Sequence, residues 1–214
     1  MRDNDKITNI HIIDCIMLPE PIKKFIVIFS NLPGIGIRQA TRLAFKMINS
    51  GKNSIEETAK AVNDLKYLKI CSRCFFVHHP PTGGKDNLCD ICRDQNRNKS
   101  VIAVVEKETD LISLERTKKF KGNYLILGEL TKTGALESVQ KLRLNHLKNL
   151  IKKELGQAEE VIIAFNPTSY GDLNFSMIAK ELAPYAKKIS RLGRVGREMR
   201  TEAAGIRRFE PASR

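Results

Sequence analysis

Three short apolar runs constrain the fold of this 214-residue chain more than any other feature. They occupy residues 101–105, 124–127 and 161–165 and are nearly unbroken, as expected of strands buried on both faces, and a last strand is expected over residues 188–192. The segments between them, 111–117, 139–155 and 173–183, have helical periodicity. Strands that alternate with helices predict an α/β fold with a mostly parallel sheet and right-handed crossovers.

The longest of these helices, 139–155, is expected to bury a single apolar stripe. The stripe consists of Val139, Leu142, Leu147, Leu150 and Ile151.

The segment from residue 18 to 70 has only helical periodicity. Two amphipathic runs, around Phe25–Phe29 and Ala40–Met47, flank a tight Leu-Pro-Gly-Ile-Gly connection at residues 32–36. A third helix is expected over about residues 54–65, with Ser54 as its N-cap and Glu57 completing a capping box. The sequence therefore predicts a small helical domain before the α/β domain.

The tight connection carries the features of a phosphate-binding turn. Gly34 and Gly36 allow the backbone to approach a ligand closely, and the helix that follows presents its free N–H groups there. Arg38 and Arg42, four residues apart, share one face of that helix and could contact consecutive phosphates. An ordinary αα-hairpin, in which the glycines only turn the chain, is the alternative interpretation. The charge of residues 18–52 favours DNA, since Glu20 is the only acid there, against Lys23, Lys24, Arg38, Arg42, Lys46 and Lys52.

The net charge of +13 indicates a polyanionic partner for the whole chain, most often a nucleic acid. Ribosome association, attachment to a membrane surface or plain solubility are the alternatives. No apolar run is long enough to span a bilayer, and the N-terminus lacks the cleavage site of a signal peptide. We therefore expect a cytoplasmic protein with reduced thiols, without a membrane partner.

Four of the five cysteines form a metal-binding pattern. Cys71 and Cys74 make one Cys-x2-Cys knuckle, and fourteen residues later Cys89 and Cys92 make a second. Two such knuckles can close a tetrahedron around Zn²⁺, and four thiolates leave no open position, so a structural zinc site is predicted. The two loop histidines, His78 and His79, are alternative ligands that a complete cysteine set makes unnecessary, and Cys15 is interpreted as a small apolar residue or free thiol.

Acidic residues follow two of the predicted strands. Glu106 ends the first strand, Asp110 lies four residues later, and Asp172 follows the third strand. Since ligands of open parallel sheets collect at the carboxyl ends of the strands, these carboxylates could bind Mg²⁺ together. The alternative is that Asp110 and Asp172 cap the helices that follow them.

These features, in this order, resemble those of the RecR family of bacterial recombination mediators. Residues 18–45 resemble the start of that family's helix-hairpin-helix domain, and the cysteine module follows in the expected place. VIAVVEKETDLISLERTKKFKGNYLILG and EVIIAFNPTSYGDLNFSMIAKEL are similar to its Toprim domain. The segments expected are an N-terminal extension (1–17), a helix-hairpin-helix domain (18–70), a four-cysteine zinc finger (71–92), a Toprim-like domain (100–194) and an atypical basic C-terminal segment (195–214).

The resemblance implies a non-enzymatic DNA clamp that helps partner proteins load the strand-exchange recombinase during recombinational repair. It implies binding to single- and double-stranded DNA without base specificity through Arg38 and Arg42, acidic Toprim positions at Glu106, Asp110 and Asp172, RecO-like and RecF-like partners, and a homo-oligomer. The arginine-rich residues 195–214 differ from the family's acidic, glycine-rich ending, which carries subunit contacts.

Two other functions fit part of the pattern. A Toprim nuclease or primase-like enzyme would need a pair of metal-binding acids on the third strand, where Asn166 and Thr168 stand instead. A generic zinc-ribbon nucleic-acid binder would use the sheet only as a scaffold.

Overall fold

The computed structural model describes residues 18–80, 86–131, 135–165, 169–192 and 206–208. The chain divides into two compact units, Met1–Lys66 and Tyr67–Arg214. Within the described ranges, no helix combines the length and the apolar character that a membrane crossing requires. The asparagine and threonine at positions 166 and 168, on which the prediction of a missing acidic pair depends, lie outside the described residues.

The first unit contains three helices, α1 (Glu20–Ser30), α2 (Ile37–Asn49) and α3 (Lys52–Asp64), and a 3-10 turn begins at Leu65. Its small core joins α1 to α2 through Ile26 and Ala40, which are 1% and 0% exposed. The partly buried side chains around this pair are Leu18, Ile22, Phe29, Ile35 and Ile37.

The predicted start of α3 is wrong by two residues. The helix begins at Lys52 after Gly51, and Ser54 lies inside it, where its carbonyl accepts the Thr58 hydroxyl at 2.8 Å. Gly51 has a φ of 89°, a left-handed conformation that glycine adopts without strain. Because that residue reverses the chain directly after α2, the next helix starts before the serine that the capping pattern suggested.

The second unit begins with a short hairpin, β1 (Lys69–Ile70) and β2 (Val77–His78), followed by the one-turn helix α4 (Asp90–Arg93). The rest of the described unit alternates strands and helices and ends in a short edge strand. These elements are β3 (Asn98–Val105), α5 (Glu108–Arg116), β4 (Gly122–Ile126), α6 (Ser138–Glu154), β5 (Ala158–Ala164), α7 (Ser169–Leu182), β6 (Ala186–Leu192) and β7 (Ile206–Arg208).

The main sheet has the order β4-β3-β5-β6-β7. The first four strands are parallel, which confirms the predicted α/β fold, and β7 pairs antiparallel with β6. Val105 of β3 lies opposite Ile126 on one side and Ala164 on the other, so three strands end at one level. The strand β7 lies within the basic C-terminal segment, for which no element was predicted.

The two faces of the sheet are covered differently. On one face, α6 and α7 pack on β3, β4 and β5, with Leu144, Leu147, Ile151, Ile178 and Leu182 almost fully buried. On the other face, Ala103, Val105 and Ile126 form a cluster with Leu111 of α5 and with all four cysteines of the knuckles. The cysteine module therefore forms part of the core of the α/β unit and covers a face of its sheet.

The predicted apolar stripe of α6 is partly wrong. Val139 and Leu142 are 59% and 64% exposed, and the position facing the core in the first turn is taken by Gln140, which is 3% exposed. Gln140 accepts the Glu137 backbone N–H at 2.9 Å and donates to the Glu129 carbonyl. These hydrogen bonds satisfy its buried amide, and they set the helix phase that hydrophobicity alone did not indicate.

A partly buried ion pair ties the segment before β3 to α5. Arg97 makes two hydrogen bonds to the Glu115 carboxylate, at 2.6 and 2.9 Å, and a third to the Gly122 carbonyl at 3.0 Å. Burial alone would raise the pKa of Glu115, but the hydrogen bonds from Arg97 and the proximity of the Tyr124 hydroxyl lower it below its ordinary value. Burial, with Glu115 beside it, raises the pKa of Tyr124.

This pair predicts an acid-sensitive contribution to stability. Because the folded-state pKa of Glu115 is lowered, its contribution is complete above the ordinary pKa of 4.5 and is lost as the pH falls through the lowered value. Glu115→Gln should cost about 1–3 kcal/mol at neutral pH and flatten the loss of stability below pH 5. Urea unfolding of both proteins between about pH 3 and 7 measures this, and parallel curves would contradict it.

Candidate nucleic-acid and metal sites

The connection between α1 and α2 forms a compact hydrogen-bonded turn. The N–H groups of Leu32 and Ile35 donate to the carbonyls of Phe29 and Leu32, both at 3.1 Å. Gly34 has a φ of 79°, so a residue with a side chain would be strained there, and no described atom lies within 4 Å of where its Cβ would stand. The backbone at Gly34 is therefore open to solvent on one side, where a ligand can approach it closely.

Gly36 is the N-cap of α2. Its own N–H donates to the Gln39 side chain at 2.8 Å, and its carbonyl accepts the Ala40 N–H at 2.9 Å. The first turns of helices have N–H groups without intrahelical partners, and the helix dipole makes this end positive. No acidic residue lies in this first turn, so nothing there competes with an anion.

Arg38 and Arg42 are both exposed and lie on one face of α2, while Ala40 and Ala44 are buried. Lys46 continues the same row one turn later and is also exposed. Since α2 contains no acid, this row and the helix N-terminus form a positive surface beside Gly34 and Gly36. The structure thus brings together all four residues expected to contact DNA within the first unit, on a surface that fits phosphate and has no shape for reading bases.

The four predicted metal ligands lie together and are buried. The Sγ atoms of Cys71, Cys74, Cys89 and Cys92 all lie within 4.8 Å of one another, and those of Cys74 and Cys89 are 3.4 Å apart. A tetrahedral zinc site with Zn–S bonds of about 2.3 Å separates its sulfurs by about 3.8 Å, so the cluster has the size of a metal site. In the described part of the chain, this is the only group of three or more such side chains that could hold an ion.

Backbone contacts shape both knuckles around Cys71. Its sulfur accepts N–H groups from Arg73 at 3.5 Å and Cys89 at 3.3 Å, and such bonds stabilise a thiolate. Hydrogen bonds from Cys74, then Cys89 and Cys92, lower the pKa of Cys71. The pKa of Cys74 is raised, because its thiol hydrogen-bonds with Cys71 and then Cys89. Thiols packed this closely cannot all ionise without a cation between them, so the donor set fits a metal ion.

The module is fixed to the sheet by contacts that sequence reasoning missed. The Cys74 carbonyl accepts the Ile126 N–H at 2.9 Å, and Arg73 pairs with Glu154 at 2.5 Å. Phe75 has a left-handed φ of 65°, and its ring contacts two side chains of α6: the Arg143 guanidinium, 4.9 Å from the ring centroid, and the His146 imidazole, whose centroid is 5.3 Å away. The sequence did not predict this packing role of Phe75. A left-handed φ is usually found at glycine, so a single phenylalanine after a knuckle gives no indication of such a conformation.

The two loop histidines, His78 and His79, make hydrogen bonds outside the cysteine cluster. A His78 ring nitrogen lies 3.2 Å from Asn87 Oδ1, and His79 Nδ1 lies 3.0 Å from the Pro80 carbonyl. Asn87 also donates to the Ile70 carbonyl at 2.7 Å, so it links the hairpin to the second knuckle. Neither histidine is part of the cysteine cluster.

The acidic residues of the predicted Mg²⁺ site have separate partners. Glu106 accepts the Leu130 N–H at 3.2 Å, and Asp172 pairs with Arg191 of β6. Asp110 accepts the Lys107 N–H at 3.0 Å from the third position of α5, so it caps the helix from inside, and Lys107 is the N-cap residue. These three carboxylates do not meet as one group in the described structure.

Comparison with known proteins agrees with this arrangement. Residues 100–193 match the family model of the Toprim domain. The chain is 35% identical over 182 residues to "Recombination protein RecR" of Herpetosiphon aurantiacus, covering 82% of this chain and 83% of the relative. Proteins of the same name from Staphylococcus saprophyticus and Koribacter versatilis are 34% and 36% identical over 176 and 177 residues; each match covers 81% of this chain, and 84% and 83% of the respective relatives.

Proposed function

The chain belongs to the RecR family of recombination proteins, and we propose that it serves recombinational DNA repair as a mediator that clamps DNA without catalysing a reaction. The observation that carries the DNA-binding part is the α1–α2 turn, where Gly34, Gly36, Arg38 and Arg42 form one positive surface free of acids. Contacts of this kind neutralise phosphates on single- or double-stranded DNA and are independent of base sequence. A protein that acts on chromosomal DNA works in the cytoplasm, at the nucleoid.

Zinc is the metal that we propose for the cysteine cluster. Four buried thiolates suit zinc, and a closed set supplies folding energy and no catalytic position. Because the knuckles cover one face of the sheet, the ion would hold that face and the hairpin β1–β2 in place.

Partner binding completes the proposed function. RecO-like and RecF-like proteins are the partners we propose, on the strength of family membership, together with self-assembly. Self-assembly is supported by α3, which has no buried residue, and whose Val62 is 59% exposed. Pulldown of a RecO-like protein with the purified chain tests the mediator function against a generic nucleic-acid binder, since only a mediator should retain the partner after nuclease treatment.

Self-assembly has its own test. Light scattering should give a mass of at least twice 24.2 kDa, with or without DNA. A monomer at all concentrations, with DNA present, would contradict a clamp formed by several copies.

The Toprim-like domain should be catalytically inert. Asp172 is paired with Arg191, Glu106 accepts a backbone N–H, and apart from the cysteines the described residues contain no group of three or more metal-ligating side chains, so no assembled Mg²⁺ site is found in the described part of the sheet edge. Incubation with Mg²⁺ or Mn²⁺ and supercoiled, nicked or primed DNA should give no cleavage, relaxation or synthesis. Reproducible turnover that Glu106→Ala abolishes would establish an enzyme instead.

A further inference from the structure

The turn between α5 and β4 carries a second concentration of positive charge. Residues 116–121 read Arg-Thr-Lys-Lys-Phe-Lys, with four cations and no acid, and all four cationic residues are exposed. For Arg116, Lys118, Lys119 and Lys121, the described structure contains no ion pair, and Glu115, whose charge interacts with Lys121, is already held by Arg97. This turn lies before β4, at the opposite end of the strands from Glu106.

The turn is held in one conformation. Thr117 donates its hydroxyl to the Leu114 carbonyl at 2.7 Å, and the Lys119 N–H donates to that hydroxyl at 3.3 Å. The Phe120 ring packs edge-on against Tyr124 with centroids 5.0 Å apart, and the Lys121 carbonyl accepts the Asn98 N–H at 2.8 Å. The charges are therefore presented on an ordered backbone, so little backbone entropy is lost when they bind.

Lys118 occupies a position that glycine would fill more easily. Its φ of 56° is left-handed, at the place after a helix end where glycine is the usual residue. A strained backbone that keeps a charged side chain indicates a role for that side chain. The dipole of α5 favours cations in its last turn, but this effect fades within one turn and does not account for Lys119 and Lys121.

We propose that residues 116–121 form a second DNA contact, which binds the phosphate backbone from the α/β unit. The proposal rests on the DNA-binding function proposed above and extends it to the end of the sheet remote from the acidic edge. At that acidic edge, Lys107 lies beside both Glu106 and Glu129, so opposite charges offset one another there, whereas the turn carries positive charge alone and would attract a polyanion. The only apolar side chain of the turn, Phe120, packs inward, so the surface suits phosphates in water better than insertion into a lipid layer.

The test is the salt dependence of DNA binding, measured by fluorescence anisotropy on full-length protein. One variant carries Lys118→Gln, Lys119→Gln and Lys121→Gln; its matched control carries Lys141→Gln, Lys153→Gln and Lys180→Gln, three exposed lysines spread over α6 and α7. The turn variant should weaken binding by about ten-fold and flatten the log–log salt slope by up to about 2.7, and the control should change both far less.

Lys118→Gly separates charge from folding. It removes one cation and relieves the strain of the left-handed backbone. It should therefore weaken DNA binding, while the melting temperature should be no lower than that of the original protein.

Equal binding by the turn variant and its control would overturn the second contact, provided that Arg38→Ala with Arg42→Ala weakens binding. No DNA binding by the unmodified protein would overturn both proposals. Binding to phosphatidylserine vesicles that the turn variant loses, with its DNA binding intact, would assign the turn to membranes and contradict the proposal.

Discussion

Replacing Cys89 with serine should remove stoichiometric zinc and lower the melting temperature by more than about 10 °C. Structural zinc contributes on the order of 10 kcal/mol, which is comparable to the whole stability of a domain. Here the loss should be large because Cys89 is 2% exposed and lies in the cluster that covers one face of the sheet, beside Val105 and Ile126. Metal analysis and calorimetry on the same preparations measure both effects.

Cys15→Ser is the matched control for this prediction. It makes the same chemical change at the cysteine that belongs to neither Cys-x2-Cys pair, so it should leave the zinc content and melting temperature unchanged. Native protein that contains no zinc, and whose melting temperature does not respond to a chelator, would show that the four thiols act without a metal.

Replacing Arg38 and Arg42 together with alanine should weaken DNA binding by at least about ten-fold on unrelated sequences. Each neutralised phosphate contributes about 0.9 to the log–log salt slope on duplex DNA, so the slope should flatten by about two if each arginine contacts one phosphate. The fold should survive, because both side chains are exposed and the core of the unit consists of Ile26 and Ala40. Anisotropy titrations at several salt concentrations measure the affinity and the slope together.

Lys52→Ala with Lys60→Ala is the control, since it removes two exposed charges from α3 of the same unit. It should change the slope much less than the arginine pair. If the arginine variant folds normally and binds with unchanged affinity and slope, the hairpin is not the DNA contact and charge elsewhere in the chain carries it.

The sequence predicted the α/β sheet well because burial on both faces leaves a direct pattern. Val101–Val105 lies in β3 between its parallel neighbours β4 and β5, and the apolar runs of these strands are covered on one face by α6 and α7 and on the other by α5 and the cysteine module. The turn at Gly34 and the clustering of the four cysteines could also be predicted from the sequence, since a left-handed turn and a closed metal site each need particular residue types at particular spacings.

The sequence predicted less where polar side chains decide the packing. The phase of α6 depends on Gln140, whose buried amide is satisfied by two backbone partners, the N-cap residue Glu137 of the same helix and Glu129, eleven residues earlier. The start of α3 depends on the left-handed conformation of Gly51, which the Ser54–Glu57 capping pattern does not take into account. Likewise, Asp172 was expected to help hold a metal, but Arg191, nineteen residues further on, pairs with it. Contacts between residues far apart in the chain leave no periodic signal.

The mediator function itself can be measured directly. Gapped DNA is coated with single-strand-binding protein, the strand-exchange recombinase and a RecO-like partner are added, and filament formation is followed with and without this chain. We expect the chain to accelerate filament formation, and the Arg38→Ala, Arg42→Ala variant to do so poorly. An unchanged rate in the presence of a partner that demonstrably binds the chain would contradict the assignment as a recombination mediator.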